Sequence, residues 1–162
     1  MNECWIIVAD GARARFMALE RRPDVPARAA LRLTEGARLS NPAHRVAGRR
    51  AARKIKSGRD TGRGRIAPHG YTDRRELHES EVLRRFAVRI GRRAVELARS
   101  ENVPSMVVVA DPRMLPLLRT ALEPVARSGV RLRELARDYT WCSSAQLKRR
   151  LAEHGLLAER RA

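Results

Sequence analysis

Aromatic residues and cysteines are scarce in this sequence. The first shortage limits the composition of the core, and the second argues against zinc-binding and disulfide-rich secreted proteins. Phe, Trp and Tyr make up only 4% of the 162 residues, so the core must consist mainly of Leu, Val, Ile and Ala. The two cysteines, Cys4 and Cys142, show no CxxC or Cys/His spacing typical of zinc. Two reduced thiols are favoured over a disulfide, and the sequence lacks the cysteine framework of a small secreted protein.

Acidic residues are also too few to balance the basic ones. The chain has 18 Asp and Glu against 35 Lys and Arg, a net charge of +17. Because 43% of the residues are hydrophobic, we still predict one folded domain spanning residues 1–162. Such a charge indicates a polyanionic partner, namely RNA, DNA or an acidic membrane surface. Heavy use of Arg in a high-GC genome is the alternative explanation for part of this positive charge.

Signals for export and for small-molecule chemistry are absent from the sequence. The N-terminal "MNECWIIVADG" has no basic n-region, and its apolar run is too short to span a membrane, which favours a cytoplasmic protein. No nucleophile elbow, phosphate-binding P-loop or HxxxH spacing occurs. We therefore predict no cofactor, no metal and no small-molecule ligand, and the sequence does not indicate an oligomeric state.

The positive charge is concentrated in one glycine-rich segment. Residues 45–75 contain eleven Arg or Lys against Asp60 and Asp73, which is about half of the net charge in a fifth of the chain. "AGRRAARKIKSGRDTGRGRIAPHG", residues 47–70, also holds five of the ten glycines. With no apolar periodicity, residues 44–72 are predicted to form a flexible basic loop.

This segment has the residue types that bind a sugar-phosphate backbone. Arg offers five donors in a rigid fork, and glycines allow close approach of the two chains. Tyr71 is a candidate for stacking on a base. We predict that this segment binds RNA or the ribosome, and the alternative is a solvated loop that binds nothing. The eight side chains predicted to bind are Arg49, Arg50, Arg53, Lys54, Lys56, Arg59, Arg63 and Arg65.

Outside this segment, the hydrophobic pattern predicts the order β-β-β-α-β-α-β-α. The strands are predicted at residues 4–9, 14–20, 30–39, 105–111 and 130–135, with helices beginning near Glu76, Asp111 and Ser143. We predict an α/β fold with a mixed five-stranded sheet, in which a three-stranded antiparallel meander precedes two parallel strands. Helices pack on this sheet in a ribonuclease-H-like or translation-protein-like arrangement.

The helix ends carry their own signals. Asp111 is predicted as the N-cap of the second helix, with Pro112 at its first position, and Pro124 should kink or end that helix. Ser143 and Gln146 predict a capping box at the start of the third helix, and Gly155 is expected to close it.

A second set of residues allows a nuclease interpretation. Asp10 and Asp111 follow two strands predicted to lie side by side, with Glu79 or Glu81 at the start of the first helix. Carboxylates in such positions bind the two metal ions of ribonuclease-H-type enzymes. Turn formation, helix capping and the helix dipole explain the same residues without catalysis. We therefore predict no catalytic residues and no enzymatic activity.

Four blocks of the sequence resemble the bacterial host attachment protein family in content and order. They are "WIIVADGARARFMALE", "LSNPAHR", "VVVADPRMLPLLRTALEP" and "ELARDYTWCSSAQLKRRL". The resemblance implies a small cytoplasmic protein with no established enzymatic activity. The family is named for attachment to host cells, which makes an adhesion or surface-interaction protein a further alternative.

Such families are also similar to the middle domain of archaeal and eukaryotic peptide-chain release factors. That domain acts through a Gly-Gly-Gln loop, whereas the corresponding region here reads "SGRDTGRGRIAPHG". The sole glutamine of the chain is Gln146, assigned above to a helix cap. The resemblance therefore favours binding to ribosomal RNA and not release activity.

Overall fold

The computed structural model describes residues 2–24, 30–44 and 69–157 and contains one five-stranded mixed sheet. The strand order is β3-β2-β1-β4-β5, with antiparallel β1–β2 and β2–β3 pairs and parallel β1–β4 and β4–β5 pairs. This confirms the predicted α/β fold, while the ribonuclease-H-like label stays a prediction. The strands are β1 Asn2–Ala9, β2 Arg13–Arg21, β3 Leu31–Ser40, β4 Ser105–Ala110 and β5 Arg131–Ala136.

Among the described residues, three helices of ten residues or more pack on the sheet: α1 at His69–Glu101, α2 at Leu115–Arg127 and α3 at Ser144–Glu153. The first of them begins at His69 and not near Glu76, so it takes in the last four residues of the segment predicted as a loop. His44, the first residue of that segment, is described and its N–H donates to the Asn41 carbonyl at 3.2 Å, whereas residues 45–68 lie outside the described residues.

Helices cover both faces of the sheet. The apolar sides of α1 and α2 pack on one face, against alternate strand residues such as Ile7, Phe16 and Val108. The opposite face of the same strands presents Ile6, Met17 and other residues to α3 and the turns around it. Because side chains alternate along a strand, one sheet supplies two separate hydrophobic cores. The near-continuous apolar runs of β1 and β4 result from this burial on both faces.

Sequence signals at the start of α2 were only partly correct. Asp111 Oδ1 accepts hydrogen bonds from the backbone N–H groups of Arg113 (2.8 Å) and Met114 (3.0 Å), so it caps a turn that precedes the helix. The helix itself begins at Leu115, with Pro116 in its first turn. Pro124 lies inside α2, which continues to Arg127.

Both predicted signals of α3 are confirmed. The Ser143 Oγ accepts from the Gln146 N–H at 3.2 Å, and Gln146 Oε1 accepts from the Ser143 N–H at 2.9 Å. Gly155 has a φ of +66°, and its N–H donates to the Ala152 carbonyl at 2.9 Å. This left-handed residue ends the helix in the manner that favours glycine.

The remaining global predictions concern the cysteines and the membrane. Cys4 and Cys142 are both buried and form no disulfide, which agrees with the preference for reduced cysteines. In the described part of the chain, no helix has both the length and the apolar character needed to cross a bilayer.

Candidate nucleic-acid interface

The eight side chains predicted to bind nucleic acid, within residues 49–65, lie outside the described residues. The chain that precedes them is fixed by hydrogen bonds at Asn41. Asn41 follows the last residue of β3 and is buried. Its backbone N–H donates to the Ala12 carbonyl, and its Nδ2 donates to the Gly11 carbonyl, both at 2.8 Å. These bonds fix the residue three positions before the predicted basic loop, residues 44–72 (the basic segment), to the turn between β1 and β2.

A groove of about 590 Å³ opens beside this anchor point, on the face of the sheet that carries α3. One wall consists of the start of β2 and the end of β3, which pair with each other through Arg13–Ser40 and Arg15–Arg38. The opposite wall is the turn after β5 with the first turn of α3. The lining residues are Arg13, Ala14, Arg15, Arg38, Leu39, Ser40, Thr140, Trp141, Cys142, Ser143 and Gln146.

Arg15 joins the two walls of the groove, although it is buried. Its Nη1 donates to the Cys142 carbonyl at 2.6 Å and lies 3.4 Å from the Thr140 carbonyl. Its Nη2 forms an ion pair with Glu35 Oε2 at 3.0 Å. Burying a guanidinium is costly unless it is paired, and here the two terminal nitrogens contact three acceptors, while the buried Nε has no hydrogen-bond partner among the described residues.

Glu35 also separates two like charges. Arg15 and Arg38 lie directly opposite each other on β2 and β3, an arrangement that is destabilising without a counter-ion. Glu35 accepts hydrogen bonds from both guanidinium groups. The hydrogen bond from Arg38, opposed by burial and aided by Arg15, lowers the pKa of Glu35 from 4.5 to about 2.

This pKa makes the groove sensitive to acid. Because the folded-state pKa lies below the unfolded value, Glu35 contributes stability above about pH 4.5 that is lost as the pH falls toward 2. We expect the free energy of unfolding to fall over that range by on the order of 3 kcal/mol more in the wild type than in Glu35→Gln. Urea denaturation at a series of pH values measures the difference.

Glu81→Gln is the matched control for this experiment. Arg84 and Arg85 lower the pKa of Glu81 to about 2 as well, but this carboxylate lies in solvent on α1. Solvent screens such exposed pairs, so we expect a smaller effect of pH. Equal acid sensitivity of Glu35→Gln and wild type would contradict the role assigned to Glu35.

Two arginines of the groove reach into solvent. The side chains of Arg13 and Arg38 are 58% and 74% exposed. Arg13 Nε lies 3.4 Å from Asp10 Oδ2, and Arg38 pairs with Glu35. Since a guanidinium has five N–H donors, each arginine retains donors that are free to bind a ligand.

Asp10 organises the turns at one end of the groove. Its Oδ1 accepts from the backbone N–H groups of Ala12 and Arg13, each at 2.7 Å. The buried Thr140 hydroxyl lies 2.8 Å from Asp10 Oδ2 and 2.7 Å from Asp138 Oδ1. That hydroxyl has one proton, so it donates to one carboxylate at a time. Asp10 therefore links the β1–β2 turn to the turn that follows β5.

The other residues of the nuclease interpretation have separate partners. Ala9 pairs with Ala110, which confirms that Asp10 and Asp111 follow neighbouring parallel strands. Asp111 caps its own turn, and Glu79 forms an ion pair with Arg113 at 3.1 Å. Over residues 2–24, 30–44 and 69–157, no three His, Cys, Asp or Glu side chains are grouped to hold a metal ion.

The family comparison agrees with the resemblance noted in the sequence. Residues 5–151 match the model of a family described as "Protein required for attachment to host cells". The chain belongs to this family. No match was found among curated proteins.

In this host-attachment family member, the groove was missed by sequence reasoning because its walls are far apart in the chain. Arg15 and Cys142, for example, are in contact across 127 positions. One local signal was available: Arg13 and Arg15 alternate with apolar residues at the start of a buried strand, which places two charges on one sheet face. A second was Trp141, a large aromatic residue in a polar turn just before a capping box.

Proposed function

We propose that this protein is a non-enzymatic, cytoplasmic RNA-binding member of the host-attachment family, with RNA of the ribosome as its target. The observation that supports this most is the charge of residues 49–65, which contain eight Arg or Lys and one Asp. Neutralising phosphates with such side chains releases counter-ions, a driving force that does not depend on base sequence.

The position of this segment in the fold also favours the proposal. Ser40 lines the groove, and Arg45 follows it by only five residues, at most about 18 Å of extended chain. The chain length alone therefore keeps the start of the basic segment within about 18 Å of the groove wall that carries the exposed Arg13 and Arg38. A backbone bound by the segment would pass close to these two additional cations.

A salt titration tests the proposal. If about five of the eight charges contact phosphates of an RNA helix, log K should fall with log salt with a slope of roughly −4 to −5. We expect Arg59→Ala, Arg63→Ala and Arg65→Ala together to flatten this slope by about 2 to 3 and weaken binding on the order of 100-fold at 0.1 M salt. Fluorescence anisotropy of a labelled RNA hairpin gives both quantities.

The matched control removes the same charge elsewhere. Arg92, Arg127 and Arg131 are exposed on α1, on α2 and on the edge strand β5. Their triple replacement with alanine should leave the slope nearly unchanged. Equal affinity and equal slope for wild type and the segment variant would exclude residues 49–65 as the binding site. RNA recovered after incubation with Mg²⁺ should be intact, since no catalysis is proposed.

Attachment to host cells is the second candidate, favoured by the description of the matching family. An attachment phenotype can arise directly, from a protein on the cell surface, or indirectly, through synthesis of other surface components. Cell fractionation separates these: recovery mainly at the outer surface of intact cells would favour the direct role and contradict the cytoplasmic one.

A further inference from the structure

Trp141 is exposed in a position where packing does not account for it. The described side chains of Trp5, Phe16, Phe86 and Tyr139 are all buried, whereas Trp141 is 57% exposed. A protein with so few aromatic residues places one of its two tryptophans on the wall of a polar groove. Trp is enriched at binding interfaces, and aromatic side chains are the platforms on which unpaired bases stack.

The ring of Trp141 is held in a fixed orientation. Its Nε1 donates to the Asp138 carbonyl at 2.9 Å. The Arg150 guanidinium lies 5.1 Å from the centroid of the Trp141 ring and 5.0 Å from that of Tyr139, within cation–π range of both. Trp141 lines the groove, whereas Arg150 does not. A ring fixed in this way loses little entropy when a ligand stacks on it.

The charges around the groove suit one phosphodiester. Three guanidinium groups, those of Arg13, Arg15 and Arg38, face two carboxylates, those of Asp10 and Glu35. These ion pairs carry a net charge of +1, not counting Asp138 next to the lining residue Thr140, and the donors that remain available belong to the exposed Arg13 and Arg38. A phosphodiester has a charge of −1 and accepts hydrogen bonds from guanidinium donors. The volume of about 590 Å³ lies within the range of small-ligand sites.

We propose that the groove binds one unpaired nucleotide of single-stranded RNA. The base stacks on Trp141, and the adjacent phosphate lies between Arg13 and Arg38. The inference rests on the RNA binding proposed above and specifies the substrate class as RNA with an unpaired base. A base inside a duplex is excluded because it presents no free face for stacking. The basic segment supplies general phosphate affinity, and the groove selects RNA that has an unpaired base near the bound backbone.

Intrinsic tryptophan fluorescence with decauridylate as the probe tests this inference. Uridine strands stack weakly on themselves, so their bases are available. We expect saturable quenching that is lost in Trp141→Ala, because the remaining Trp5 is buried. Stacking on one aromatic side chain corresponds to a loss of about 5- to 150-fold in affinity for decauridylate in that variant, which is measured by the anisotropy of labelled decauridylate because the variant lacks the reporting tryptophan. Trp141→Phe should recover most of the affinity, since a smaller ring still stacks.

A duplex RNA without overhangs separates this inference from the proposed function. Its binding through the basic segment should be the same in wild type and Trp141→Ala. The control variant Leu77→Ala, at an exposed residue of α1, should bind both RNAs as wild type does. Duplex binding without decauridylate quenching, or equal decauridylate affinity in wild type and Trp141→Ala, would overturn the groove assignment and leave the proposed function standing. If the wild type showed no salt-dependent binding to either RNA, both the groove assignment and the proposed function would be overturned.

Discussion

Replacing Gly91 with leucine is expected to destabilise the protein by at least about 3 kcal/mol, at the upper end of the cost of overpacking. Gly91 is buried in α1 where it meets α2. A Cβ at this position would lie 2.5 Å from the Ala121 carbonyl oxygen and 3.0 Å from the Ala121 Cβ. The obstacle is backbone and cannot rotate away, so the two helices must separate and expose the core between them.

The sign of this effect distinguishes packing from helix propensity. Leu forms helices better than Gly by roughly 0.8 kcal/mol, so propensity alone would make the variant more stable. Arg92→Leu, at the adjacent exposed position of the same helix, is the control and should change stability by less than about 0.5 kcal/mol. Thermal and urea unfolding measure both. An unchanged or raised stability of Gly91→Leu would contradict the close approach of α1 and α2.

Parts of the fold that depend on local patterns were predictable from sequence. The run Ser105–Ala110 is apolar on both sides because β4 is central and covered by helices on both faces. The ends of α3 follow from Ser143, Gln146 and Gly155 alone, since capping involves residues three or four positions apart.

The boundaries that were missed lack such a pattern. The described residues of α1 before Glu81 are mainly exposed, so the first turns of this helix show no apolar stripe and begin earlier than predicted. At the start of α2, the residues "DPRM" satisfy the rules for a helix N-terminus, but their bonds close a turn first. A turn and a first helical turn have the same short-range hydrogen bonds, so sequence cannot separate them.

The candidate site likewise has one part that the sequence predicted, residues 49–65, and one part that it did not, the groove. Charge and glycine content singled out residues 49–65, because both are properties of a continuous segment. The groove depends instead on three distant stretches that the sheet and α3 bring together, and its central contact involves a buried arginine. Burial of Arg15 cannot be inferred from its neighbours in sequence, since its acceptors are Glu35 and the carbonyls of residues 140 and 142.

Replacing Arg15 with methionine should therefore have the largest effect of any single change in the groove. The side chain is similar in length, but the variant removes one of the two guanidinium partners of Glu35 and leaves the Cys142 carbonyl without this donor. Removing one partner of a buried ion pair costs about 3 to 5 kcal/mol, and because Glu35 keeps Arg38 we expect a cost near the lower end of that range. Arg15→Lys should fall between methionine and wild type, because an ammonium group cannot reach the same three acceptors in the fork geometry of arginine.

A double-mutant cycle shows whether this loss comes from the ion pair. In Arg15→Met combined with Glu35→Gln, the half-buried carboxylate that pairs with Arg15 is removed as well, so we expect a cost smaller than the sum of the two single changes by at least about 1 kcal/mol. Strict additivity would mean that the two side chains do not interact in solution. The same variants test the link to Trp141, which lies between two carbonyls that face Arg15. Because Arg15 fixes that turn, Arg15→Met should weaken decauridylate quenching under conditions where the protein is still folded, whereas Glu81→Gln should not.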